Sequence, residues 1–79
     1  MQQILVPQLL AEYGLTREHV TCIECLPEDI DDTQLLGIKT AIARGRAFLF
    51  LKVRGNEYGT LYCVNDGYVM DIDSDSWVC

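Results

Sequence analysis

Residues 46–73, RAFLFLKVRGNEYGTLYCVNDGYVMDID, decide the fold. Three apolar, aromatic-rich runs, 46–53, 57–64 and 68–73, are separated by Arg54-Gly55-Asn56-Glu57 and Asn65-Asp66-Gly67, both of which read as turns. Connections this short cannot cross over a sheet, so the runs are expected to form an antiparallel meander. With Gly55-Asn56 and Asp66-Gly67 as two-residue loops, Phe48 lies opposite Cys63 and Phe50 opposite Leu61. The same reading sets Cys63 against Met70 and Leu61 against Ile72. One face is then Phe48, Phe50, Leu61, Cys63, Met70 and Ile72, a floor suited to a helix. The reverse face carries Leu49, Leu51, Val53, Tyr58, Thr60, Tyr62 and Val69, grading into Asp71 and Asp73. It is too apolar to be left bare, so the N-terminal segment or a partner should cover it. A loop longer by one residue would swap the two faces.

Upstream of the meander, residues 32–44 carry the clearest helical pattern. Asp31 or Asp32 can cap it, and the acids before it face the positive end of its dipole. Gly45 occupies the position of a left-handed C-terminal cap. Leu35, Ile38 and Ile42 form the expected buried stripe, flanked by Leu36 and Ala41. Gly37 costs about 1 kcal/mol relative to Ala in a helix, a cost that close packing on a sheet would explain. Residues 20–26, VTCIECL, read as a strand stopped by Pro27. Pro7 and Gly14 bracket a short N-terminal helix, and Thr16 can cap a turn over 17–19. The fold class is therefore α+β: one main helix on a three-stranded antiparallel sheet, or four-stranded with residues 20–26, in a single small acidic domain spanning 1–79.

The chain has 79 residues, of which 49% are hydrophobic and 23% charged, a globular composition. A domain this small buries only about 60% of its unfolded surface, which leaves little for a walled active site. Twelve acids against six bases give a net charge of −6. That disfavours direct contact with nucleic acid or anionic lipid and favours a basic partner. The first fifteen residues lack a basic region before their apolar stretch, and no apolar run approaches the roughly 20 residues that span a bilayer. A cytoplasmic location is expected, that of the host cell if the gene is carried by a phage.

Cys22-Ile23-Glu24-Cys25 has the spacing of a metal knuckle or a redox pair. On a strand, however, the two thiols point to opposite faces, which no single ion can use. The remaining cysteines, Cys63 and Cys79, do not repeat the spacing, so the pair reads as small apolar filler before an acidic turn. Residues 71–76, DIDSDS, begin like a calcium loop but carry Ser76 where glycine belongs. His19, the one histidine, has no oriented base or nucleophile beside it. No catalytic residue, metal or cofactor is assigned, and the chain is read as a non-enzyme.

What remains is distribution. Glu28, Asp29, Asp31 and Asp32 precede the helix, and Asp71, Asp73 and Asp75 fall near the C-terminus with Trp77; Tyr58 and Tyr62 share that half. Carboxylates beside aromatic rings suit a surface that grips an Arg-rich partner. The expected function is a non-enzymatic acidic inhibitor that occupies a basic, nucleic-acid-handling surface of another protein. In size and charge, though not in any motif, it is similar to inhibitors made by phages and mobile elements, anti-CRISPR proteins among them. The alternatives are an immunity or antitoxin protein covering a toxin's basic site, a Cys-x-x-Cys metal or thiol protein, and a homodimer that buries the apolar sheet face.

Overall fold

The computed structural model describes residues 6–56, 58–65 and 67–73, and the side chains at 8–56, 58–65 and 67–69. The elements are α1 (Val6–Glu12), β1 (Val20–Cys25), α2 (Ile30–Ala43), β2 (Phe48–Val53), β3 (Tyr58–Cys63) and β4 (Tyr68–Asp73), with single 3-10 turns at Arg17–His19 and Pro27–Asp29. The class is α+β, with the strands in the order β1-β2-β3-β4. β2, β3 and β4 form the antiparallel meander, and β1 joins as the fourth strand, parallel to β2. Parallel neighbours need a crossover, and α2 supplies it.

Both helices stop where the glycines require. At the end of α2, Arg46 N donates to Ala41 O at 2.7 Å and Gly45 N to Ile42 O at 3.0 Å, with Gly45 at φ 69°. α1 ends the same way: Leu15 N donates to Leu10 O and Gly14 N to Ala11 O. Each pair of bonds satisfies carbonyls that would otherwise lack donors, in a backbone conformation costly for any residue with a Cβ. α2 begins at Ile30, two residues before the expected start, because the Pro27–Asp29 turn runs directly into it. Asp29 is the capping residue in place of Asp31 or Asp32, and its side chain makes no capping hydrogen bond.

The first hairpin has the expected register, Phe48 opposite Cys63 and Phe50 opposite Leu61. The second differs. Cys63 pairs with Tyr68 and Leu61 with Met70, so the connection is the four residues 64–67 rather than two. Val64 N donates to Ala47 O at 2.9 Å, which extends the ladder of the first hairpin by one residue. A shift of two residues leaves every strand position on its expected face, because side chains alternate with a period of two.

The helices occupy the opposite faces from those expected. α1 packs Leu9 and Leu10 against Val20, Phe48, Phe50 and Leu61, with Leu15, Cys22, Ala47 and Cys63 at the margin. α2 lies on the Leu49 face, mainly over β1 and β2. The N-terminal segment thus covers the phenylalanine face, and the main helix covers the leucine face. The reason lies in the short crossover from β1 and in the residues α2 presents. Gly37 and Ala41 are its buried positions, not the stripe Leu35, Ile38 and Ile42. A Cβ on Gly37 would come within 2.8 Å of a Leu49 methyl and 3.1 Å of Ile23 Cδ1. Small residues four apart bring the helix close to a floor already filled by Leu49 and Leu51, both fully buried. Full burial of each such side chain is worth about 1.5–3 kcal/mol, so the sheet's own leucines dominate this layer.

Candidate functional site

Chain direction decides which side chains meet at each end of the sheet. β1 and β2 run parallel and finish together, with Cys25 beside Val53. The crossover must leave from that end, so the Pro27–Asp29 turn and the start of α2 are placed there. β3 begins at the same end, Gly59 pairing with Lys52, and β4 finishes there, Asp73 pairing with Tyr58. Glu28, Asp29, Asp31, Asp32 and Tyr58 therefore share one end of the sheet with the backbone positions of Asp71 and Asp73. The first four side chains are exposed, and among the described residues none forms an ion pair or a side-chain hydrogen bond. Tyr58 is half-buried.

Tyr62 does not join them. It pairs with Leu49 and Val69, four positions down β3, about 13 Å from Tyr58 at the usual strand rise. Asp75 and Trp77 lie outside the described residues. The acidic end also carries Lys52 and the Arg54–Glu24 ion pair, 3.3 Å long with 71% and 50% of the two side chains exposed. Such an exposed pair contributes little to stability.

The opposite end is richer in base. Arg17 and His19 precede β1, while Arg44 and Arg46 follow α2. Glu18 is the acid among them. Ile42, Gly45, Arg46, Ala47 and Asn65 line an open depression there of about 290 Å³. Among the described residues its lining holds no nucleophile and no carboxylate.

The cysteines and His19 have structural surroundings. Cys22 pairs with Phe50 on the α1 side and Cys25 with Val53 on the α2 side, so strand alternation separates the thiols as expected. Cys22 and Cys63 border the α1 core, Cys25 is buried, and no disulfide joins any two of the three. No group of three or more His, Cys, Asp or Glu among the described residues could hold a metal ion. His19 Nδ1 accepts a hydrogen bond from Thr16 N at 3.0 Å, which fixes the start of the Arg17–His19 turn.

The feature sequence reasoning missed is the outer side of α2. Leu35, Leu36 and Ile42 are 56%, 62% and 60% exposed, and Val69 on the same side of the sheet is 54% exposed. The signal that could have found it is Gly37-x-x-x-Ala41, which marks the face able to approach a sheet closely and so sends the bulky residues outward. Among the described residues, no helix is long and apolar enough to cross a membrane. The chain matches no family model, no curated protein and no solved structure.

Proposed function

We propose that the chain is a non-enzymatic protein-binding module that docks its acidic end on a basic, nucleic-acid-handling surface of another protein. The observation that carries this reading is the set Glu28, Asp29, Asp31 and Asp32, exposed and unpaired among the described residues, at the end where β4 also delivers Asp71 and Asp73. Exposed carboxylates without internal partners are available to guanidinium groups, and the half-buried Tyr58 shares their end of the sheet. Helix-dipole stabilisation explains Asp31 and Asp32 in part, at about 0.3–1 kcal/mol each. The same effect extends to Asp29, the capping residue, and it leaves Glu28 unexplained. Inhibition follows if the occupied surface is one that the partner uses for nucleic acid. An immunity protein covering a toxin's basic site would use the same end. Cys22, Cys25 and Cys63, with no disulfide among them, suit a reducing compartment such as the cytoplasm.

The test uses a fluorescent Arg-rich peptide and fluorescence anisotropy across a salt series. The native chain is expected to bind it with a steep salt dependence. The variant Glu28→Gln, Asp29→Asn, Asp32→Asn is expected to weaken binding about tenfold or more and flatten that dependence. Binding that is absent, or indifferent to the substitutions while the fold is intact, removes the acidic end from any site.

A further inference from the structure

Four strands spaced about 4.8 Å apart offer a floor for two helices lying about 10 Å apart. On the leucine face only α2 is present among the described residues, and it lies mainly over β1 and β2. The β3–β4 half keeps Val69 exposed and Thr60 and Tyr62 half-buried. The flank of α2 toward this half is identified by Ile42, which lines the same depression as Asn65 from the β3–β4 connection. We infer that this half is covered by α2 of a second copy, giving a two-fold dimer in which the two α2 helices lie antiparallel, side by side, between the two sheets.

The second copy is favoured over any other helix by spacing and charge. Asp31, Leu35, Ile38 and Ile42 follow one another at intervals of four, three and four, the repeat of a helix-pairing seam. Run antiparallel against itself, the seam sets Leu35 beside the second copy's Ile42 and the Ile38 side chains near the axis. Asp31 then reaches the opposing Arg46, which flanks Ile42 in the depression. Two-fold symmetry repeats that ion pair and the Leu–Ile contact. The antiparallel helix dipoles are also favourably opposed. Leu35 and Leu36, pointing away from their own sheet, come over the exposed Val69 of the other copy. One arrangement thus buries the exposed side chains Leu35, Leu36, Ile42 and Val69; it takes Asp31 from the acidic end and leaves Glu28 and Asp29 outside the contact. It does not rest on the acidic-end reading.

Sedimentation velocity on the full chain, from low micromolar to millimolar concentration, tests this. The expected result is a concentration-dependent shift to twice the chain mass. Ile42→Glu, a change at an exposed position, should hold the protein monomeric with its far-ultraviolet circular dichroism unchanged. Asp31→Arg and Arg46→Asp should each weaken the dimer about tenfold or more, and the combined swap should restore it. A chain that stays monomeric throughout overturns the inference. So does a dimer insensitive to both Ile42→Glu and the charge swap. Peptide binding measured on the Ile42→Glu monomer keeps the outcome separate from that of the acidic end.

Discussion

Gly59 is a residue whose side chain is absent for a reason. A Cβ there would overlap the Phe50 ring, which lies across β3 and is fully buried. Gly59→Ala is expected to destabilise the domain by about 1–3 kcal/mol through overpacking, read as a lower denaturant midpoint at constant slope. Thr21 presents the reverse case. Its Oγ1 is buried beneath α2 and lacks a hydrogen-bond partner among the described residues. Thr21→Val keeps the shape and removes the stranded hydroxyl, so it should raise stability by about 1 kcal/mol in the same titration. A loss would show that the hydroxyl is satisfied. Cys22 and Cys25 were legible at this scale, since the alternation of a strand separates them whatever surrounds it. Gly59 was not, because nothing local signals that a ring from the neighbouring strand will need its space.

At the scale of elements, α2 sets two effects against each other at one position. Replacing Gly37 by Ala gains about 1 kcal/mol of helix propensity. It also places a Cβ 2.8 Å from a methyl of Leu49, a fully buried side chain that would have to shift. Clash should win, and Gly37→Ala is expected to lower the thermal midpoint. Combining it with Leu49→Ala should recover part of the cost of the pair, measured as a coupling energy in a double-mutant cycle. The strands and the helix were readable because their periodicities are local. The side of the sheet on which α2 lies was not. Leu35, Ile38 and Ile42 have the spacing of a buried stripe, yet Leu35 and Ile42 are exposed. Apolar periodicity marks a face that avoids water without saying whether its own sheet or another chain covers it. In the second hairpin the connection is four residues rather than two, a length that the turn residues there did not announce.

For the molecule as a whole, strand direction sorts charge toward two ends. The backbone positions of Glu28–Asp32 and Asp71–Asp73 share one end of the sheet only because β1 and β2 are parallel and β4 returns to their finish. The composition already showed a net charge of −6, but the gathering of half-separated clusters is a property of topology. That same topology moves Tyr62 away from the group it was expected to join. The parallel pairing of β1 with β2 has a further consequence for how the chain folds. The two hairpins close over neighbouring residues, whereas β1 can dock only after α2 has bridged the gap between Cys25 and Phe48. Closing that longer loop forfeits the most entropy before any contact repays it. The acidic turn, held by β1, is accordingly among the last parts of the molecule to take shape and the first to be released when it opens.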